Sequence, residues 1–415
     1  MLVEFRVKNF RSFRDEQVLS LVASKDKTLL DTHTLPTGIK AAPHLLKSAV
    51  IYGANASGKS NLIKALRYMR RVMLGLENTP RSNLQPFRLD EESSAQPSEF
   101  KVTFILDGVR HQYGFAMTQQ RIVTERLLVY KTVKPQCWFD RRFDESAGKD
   151  IYTFSPHLKG AKSVWEEATR PDALFLSTAK QLNSKALKPV FDWFKLNLFA
   201  FDEYRPINKQ RSIKELMQDE DERRWLCDFL SPADTGITNI EVDKDHPINN
   251  PITTDSKEKI QIKEVEGQQL LFTHTAGQNQ EVFNLWDESS GTRRLFFLAG
   301  YVRKVLRRGG IFVMDELDTS LHPHLVRELV RLFYRPETNA GGAQLIFTTH
   351  NTSLLEDDAL FRRDQIWLVE KKADQSSTLY SLLEFSPRKN EAIGRGYLQG
   401  RYGAVPIFGG VLGDG

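Results

Sequence analysis

Eight consecutive residues carry the clearest chemistry in the chain: Gly53-Ala54-Asn55-Ala56-Ser57-Gly58-Lys59-Ser60. Two glycines bound small residues, and a lysine and a hydroxyl follow at once, which is the G-x-x-x-x-G-K-[ST] spacing. Such a run turns the backbone so that N–H groups point inward at phosphate oxygens, and the start of the following helix adds positive potential. Lys59 would reach β- and γ-phosphates, and the Ser60 hydroxyl would bind Mg²⁺. Gly53, Asn55, Ser57, Gly58 and Asn61 would line the same cradle of an ATP site.

Three further groups supply what a phosphate cradle lacks. In Ile311-Phe312-Val313-Met314-Asp315-Glu316, an apolar run would carry Asp315 to a magnesium shell, and Glu316 could act as general base on a water. His350 closes the run "AQLIFTTH" and could donate to a γ-phosphate oxygen. Ser289 and Gly291, in "ESSG" before a helix expected near Thr292, could form a second anion site. Taken singly, acids after a strand also cap helices, a strand-end histidine is commonly structural, and "SSG" is commonly a turn. Their order along the chain makes the case.

These side chains need rigid elements behind them. "KSAVIY" reads as a short buried strand entering the glycine loop, and Leu62, Leu66, Met69 and Met73 recur at helical spacing after it. "GGIFVMDE" and "AQLIFTTH" read as strands buried on both faces, the kind found in parallel sheets covered by helices. At the start of the chain Val3, Phe5 and Val7 alternate with Glu4, Arg6 and Lys8, and a hairpin is expected about Asp107-Gly108. "DALFLSTAKQLN" is a compact apolar run, read as strand-like, with a polar end. Residues 185–235 read as helical, with a capping-box pattern at Ser212 and Glu215, and "DKDHPINNPITTDSKEK" from Asp243 to Lys259 reads as an exposed loop.

Composition narrows the class. Of the 415 residues, 40% are hydrophobic and 27% charged, as in an ordinary globular chain. There is no secretory signal pattern and no membrane-spanning apolar run, so a cytoplasmic protein with no membrane partner is expected. Cys137 and Cys227 are too few for a disulfide framework or zinc cluster and read as small buried residues. A net charge of +5 permits nucleic acid as a partner without deciding it.

Together the motifs resemble a known group. "DELDTSLHPHL" is similar to the joined Walker B and D-loop of ABC-type ATPases of the SMC and RecF kind, "LIFTTHN" to their switch strand, and "ESSGTRRLFFLAG" to their signature. The resemblance implies an α/β fold: an ABC-type P-loop head with a mixed or parallel core sheet, an antiparallel β subdomain and a short helical insertion. It implies ATP and Mg²⁺ as cofactors, and Asp318 at the nucleotide. It also implies that Ser289 and Gly291 face the ATP of a second copy, so that two heads clamp two nucleotides. A basic residue of the opening "VKNFRSF" touches phosphates in that group, and the matching position is Arg11. A Q-loop glutamine coupled to Mg²⁺ is expected at Gln181, with Gln85 as its rival. Glu288 and Ser290 depart from the transporter signature, and the chain lacks heptads for a long coiled coil.

Over nearly the whole chain, "MLVEFRVKNFRSFRDEQ", "GANASGKSNL" and "YLQGRYGAVP" resemble RloA-like proteins of the bacterial AAA15 group, related to the ATPase half of overcoming-lysogenisation-defect nucleases. That implies a homodimer or higher homo-oligomer serving a separate effector, a nuclease or other toxin, in antiphage defence. No nuclease motif follows His350, so destructive chemistry is expected from another subunit. A RecF-like DNA clamp is the alternative, and a P-loop kinase would leave the signature and His350 unexplained. Three regions are expected: 1–184 and 276–415 as the two lobes of the head, and 185–275 as the insertion.

Overall fold

The computed structural model describes residues 1–76, 84–201, 220–231, 236–243, 269–388 and 391–406. The chain forms two compact units: Met1–Glu203 with Val305–Asp318 and Val326–Gly415, and Tyr204–Lys304 with Thr319–Leu325. The expected lobes therefore fall mainly in one unit, and the break comes after residue 203 rather than 184. The reason is β11 (Leu198–Phe201), which hydrogen-bonds as a parallel strand to β15 (Ile311–Met314).

Two sheets build the first unit. The central one has the order β11-β15-β16-β5-β17-β18, adding β16 (Gln344–Thr348), β5 (Ser48–Gly53), β17 (Ile366–Lys371) and β18 (Ser377–Ser381). Every pair in it is parallel except β17 with β18. All residues of β5, β15 and β16 are buried, as two covered faces require. The other sheet is antiparallel, in the order β10-β9-β8-β7-β6-β1-β2. It comprises β1 (Leu2–Lys8), β2 (Gln17–Ser20), β6 (Ser98–Leu106), β7 (Val109–Met117), β8 (Ile122–Tyr130), β9 (Gln136–Asp144) and β10 (Lys149–Phe154). The expected hairpin joins β6 to β7, with Asp107 and Gly108 both at positive φ (50° and 72°), the conformation this two-residue turn demands. A short pair, β3 (Thr34–Pro36) with β4 (His44–Leu46), completes the unit's strands.

Helix α1 (Lys59–Met73) contacts both sheets. Its Leu62, Ile63, Leu66 and Met69 share one apolar core with Phe5, Phe100 and Tyr113 of the antiparallel sheet and with Ile51, Val313 and Ile346 of the central one. Each fully buried side chain of this kind contributes about 1.5–3 kcal/mol. Gln344 adds a polar tie, accepting from the Leu2 amide at 2.6 Å and donating to the Leu2 carbonyl at 3.0 Å.

The run 172–183 holds a helix, not a strand: α2 (Phe175–Gln181). Its cause lies far away in sequence. The carboxylate of Glu125 on β8, fully buried, accepts from the backbone amides of Phe175 (2.6 Å) and Leu176 (3.0 Å) and from the Tyr113 hydroxyl (2.8 Å). It thereby satisfies amides of the first helical turn. Burial pushes the Glu125 carboxyl up, partly offset by the Arg141 guanidinium 3.8 Å away. Arg141 itself is shared with Asp150 at 2.8 Å and the Ala173 carbonyl at 2.6 Å. Helix α3 (Lys188–Leu196) follows, burying Trp193 against Phe104.

The second unit, taken by itself, holds α4 (Glu220–Leu230), a three-stranded antiparallel sheet of β12 (Ile237–Asp243), β13 (Gln269–Ala276) and β14 (Asn279–Asn284), and most of α5 (Ser290–Arg308). Among the described residues the insertion thus contains sheet as well as helix. Its amphipathic strands stack Phe272 edge-on to Phe296, while Arg303 lies over Trp225 and 3.4 Å from Glu222. The capping-box pattern at Ser212 and Glu215, and the polar loop beyond Asp243, lie outside the described residues. Cys137 and Cys227 are free and only half-buried. Among the described residues no helix is long and apolar enough to cross a membrane.

Replacing Glu125 with leucine strands three donors and leaves Arg141 less compensated. The expected loss is about 3–5 kcal/mol of unfolding free energy, read by chemical denaturation. A loss below about 1 kcal/mol would contradict the anchoring role.

Candidate functional site

The glycine loop joins β5 to α1, as its flanking pattern requires. Both glycines are demanded by close approach. A Cβ on Gly53 would strike the Val369 carbonyl oxygen and lie 2.6 Å from Ser57 Oγ. One on Gly58 would strike Ser377 Oγ and lie 2.8 Å from Ser12 Oγ, and Gly58 sits at φ 115° as the residue before α1. The loop is therefore gripped from both ends of the chain. Ser377 Oγ donates to the Ser57 carbonyl at 2.5 Å, its amide donates to the Ser12 carbonyl at 2.7 Å, and Asn61 Nδ2 donates to Ser12 Oγ at 2.8 Å. Asn55 and Ala56 are exposed at the tip, Ser60 and Asn61 half-buried at the head of the helix.

Lys59 is 5% exposed, and its ammonium donates to the Gly53 and Ala54 carbonyls at 2.8 and 3.0 Å. Desolvation lowers it to about 8, against the pull of Asp315, Glu316 and Asp318. These acids are close because β16 lies between β5 and β15, with Phe347 opposite both Val50 and Met314. Three parallel strands thus end together at one edge, the place where open α/β sheets meet ligands.

At that edge Asp315 is buried, and its Oδ1 accepts from the Thr348 hydroxyl at 2.6 Å. The amide of Glu316 donates to the same hydroxyl at 2.7 Å, and the amide of Leu317 donates to the Thr348 carbonyl at 3.1 Å. Glu316 sits at φ 48°, a left-handed conformation uncommon outside glycine. His350 is exposed at the end of the switch strand, and its amide donates to Asp318 Oδ2 at 3.4 Å. Partial desolvation and then Lys59 lower the imidazole below its usual range, against Asp318, Glu316 and Asp315. The shift favours the neutral imidazole, which has one ring N–H to donate. Asp318 Oδ1 is buried without a partner among the described residues.

Arg11 is brought to the loop's flank. It occupies a tight turn at φ 55°, next to Ser12, and its buried Nε has no partner among the described residues. Its amide donates to the Gln85 carbonyl at 2.7 Å, so Gln85 is tied to the same turn. Gln181 is not brought there. Ser177 of α2 donates to the Met73 carbonyl at 2.7 Å, the far end of α1. Lys59 and Met73 are about 21 Å apart along that helix at about 1.5 Å per residue. The Glu125 anchor holds Gln181 at that remote end, beyond the reach of a glutamine side chain.

Ser289 and Gly291 lie in the second unit. Ser289 Oγ accepts from the Thr292 amide at 3.1 Å, while its carbonyl accepts from the Arg293 amide at 2.9 Å, which is N-cap geometry. A Cβ on Gly291 would stand 2.7 Å from the Ser320 carbonyl oxygen. The exposed serine thus opens a helix start toward solvent, and glycine lets Ser320 approach it. Glu288 Oε1 accepts from His274 Nε2 at 2.6 Å, which fixes the turn before the cap.

Sequence reasoning overlooked Thr348, Ser12 and Ser377. For Thr348 a signal existed: two threonines where a fully buried strand reaches its end. For the serines there was none, since their role depends on which distant strands flank the loop. Ser60 and Asp315 offer hard oxygen donors suited to Mg²⁺, which keeps waters and is bound by one or two carboxylates with substrate phosphates. Among the described residues no group of three or more His, Cys, Asp or Glu could hold a metal by itself, and this sparse oxygen set fits that mode.

A family model described as "AAA domain, putative AbiEii toxin, Type IV TA system" matches residues 48–356, from the start of β5 to just past the switch histidine. No curated protein matches the chain. Among solved structures the chain is similar to the SMC head domain from Thermotoga maritima, with 14% identity, 92% of this chain and 98% of that one covered, and a TM-score of 0.41. It is also similar to an Smc head bound to the C-winged helix domain of ScpA (15%, 92% and 97%, 0.43). A third is an Smc head with an extended coiled coil bound to the C-terminal domain of ScpA derived from Pyrococcus furiosus (14%, 92% and 97%, 0.42).

Lys59 generates a pH prediction. A bound polyphosphate favours the ammonium, so affinity is full below the free lysine's value and falls as pH rises through about 8. Titration calorimetry of ATP in buffers of different ionisation enthalpy should show proton uptake on binding near that pH. Affinity that stays flat well above it would contradict the assignment.

Proposed function

The chain belongs to this AAA-domain family, and from that premise we propose that it is an ATP-binding and hydrolysing switch whose heads close on ATP as a homodimer. The observation that carries the reading is the common edge at which β5, β16 and β15 end, bringing Lys59, Asp315, Glu316 and His350 around one glycine loop. Lys59, released from the loop carbonyls, binds β- and γ-phosphate oxygens together with the loop amides and Arg11. Ser60 and Asp315 would hold Mg²⁺, which would supply positive charge against that developing on the phosphate oxygens. Glu316 accepts a proton from the attacking water, and neutral His350 donates to a γ-phosphate oxygen.

Ser289 and Gly291 act on the nucleotide of a second copy. Their support is chemical: the exposed start of this helix carries the positive end of the helix dipole, which favours an anion. The finer reading follows the RloA-like, AAA15-group resemblance. ATP-driven closing and opening regulates or scaffolds a separate effector, a nuclease or other toxin, in cytoplasmic antiphage defence, with higher homo-oligomers as an extension of the dimer.

One observation favours a second reading, a RecF-like DNA clamp. Arg6, Lys101 and Arg126 form a row across neighbouring strands of the antiparallel sheet, interrupted only by Gly114. Glu16 and Asp140 partly balance that row. ATP-dependent, salt-sensitive DNA binding by the protein alone would favour the clamp, and no binding at low salt would remove it.

Glu316→Gln should lower turnover by about 10²-fold or more while retaining ATP, and analytical ultracentrifugation should find it as a dimer with Mg·ATP. A Glu316→Gln protein that binds ATP yet stays monomeric would defeat the switch. Ser289→Arg should abolish turnover and leave ATP affinity of the monomer within about threefold. Equal loss of both would mean that Ser289 serves its own loop.

A further inference from the structure

Thr348 lies on the strand between the phosphate loop and the acids, is fully buried, and belongs to neither set of residues assigned above. Its hydroxyl has one proton and spends it on Asp315 Oδ1 at 2.6 Å, because a carboxylate cannot return it. Its lone pair takes the Glu316 amide proton at 2.7 Å, because an N–H cannot accept. Both roles are used, so the direction of the hydroxyl is set. We propose that Thr348 is a positioning residue for hydrolysis, fixing through one hydroxyl both the metal-facing carboxylate of Asp315 and the backbone that carries Glu316.

Two consequences follow from the geometry. With Oδ1 occupied, the Asp315 carboxylate is held against rotation, and Oδ2 is left as the oxygen that could serve a metal. The Glu316 backbone, at φ 48°, is in a conformation that most side chains disfavour. It is bracketed on one side by its own amide on Thr348 Oγ1 and on the other by the Leu317 amide on the Thr348 carbonyl at 3.1 Å. Valine would copy the shape of threonine and supply neither bond, whereas serine would supply both.

The inference rests on the ATPase reading, and its test separates the two. Full-length wild type, Thr348→Val and Thr348→Ser are compared for ATP affinity in EDTA, ATP affinity in Mg²⁺, and turnover. Thr348→Val should keep the EDTA affinity and lose the Mg²⁺-dependent gain and kcat by roughly 10- to 100-fold, with KM little changed. Thr348→Ser should stay within about threefold of wild type in all three. Should the valine protein fail to fold, Thr348→Cys keeps a similar volume with a weaker hydrogen-bonding group and should show the same losses in smaller degree. A valine variant with the full Mg²⁺ gain and kcat overturns the proposal, and so does a serine variant as impaired as valine. If wild type binds ATP without hydrolysing it, the hydrolysis reading fails and the Mg²⁺ gain alone decides Thr348. If wild type binds no ATP, both fail.

Discussion

Hydrogen bonding of β16 to β5 on one side and to β15 on the other, with Phe347 level with Val50 and Met314, sets where Lys59, Asp315, Glu316 and His350 stand. A strand residue advances about 3.3 Å, and a slip of one residue also turns the side chains to the opposite face. Shifting β16 by one position would take the Thr348 hydroxyl off Asp315 and move the start of the switch turn relative to Lys59. The register is held by complete burial of all three strands, and by Gln344, whose amide side chain grips both backbone groups of Leu2. A core contact at the first residue of β1 therefore bears on chemistry at the opposite end of β16.

The same logic explains why the glycine loop is held by parts of the chain more than 300 residues apart. Gly58 lets Ser12 and Ser377 approach the backbone from two sides, and Gly53 does so for Val369. The loop's shape is thus imposed by its walls as much as by its own turn preferences. Helix α1 enters the space between two sheets, so its start is fixed by packing along its full length. Pre-organisation of this kind spares a bound phosphate the cost of ordering the amides around it.

Elements that announce themselves locally were legible in the sequence. The alternation of Val3, Phe5 and Val7, the Asp107-Gly108 hairpin, the loop and its helix, and the two apolar strands before Asp315 and after Ala343 all depend on near neighbours. Elements decided at a distance were not. "LFLSTAKQ" has a burial pattern without clear period, since Leu174 to Ala179 are all buried, and an apolar run of that length fits strand or helix. Glu125, some 50 residues earlier, decides for helix by accepting from its first amides. That one carboxylate also explains why the helix carrying Gln181 is tied, through Ser177, to the Met73 end of α1 instead of to the loop. Likewise Phe199 and Phe201 gave no sign that their strand belongs to the central sheet, because the strand it pairs with is β15, more than 100 residues later.

Charge at the candidate site gives a physical motive for sharing it between two copies. Asp315, Glu316 and Asp318 all lie near enough to act on Lys59, whose ammonium is already weakened by desolvation. A triphosphate adds several negative charges to this edge, and one lysine cannot balance both sets. Arg11, beside Ser12 at the loop's flank, has a buried Nε without a partner among the described residues, and the helix start of α1 adds about half a unit charge. A further positive helix start, capped by Ser289 and approached by Ser320 at Gly291, is what each chain carries in its second unit. In the proposed dimer the deficit of one copy is met by this surplus of the other. Closure then depends on the γ-phosphate being present, because that phosphate is the charge both copies must share.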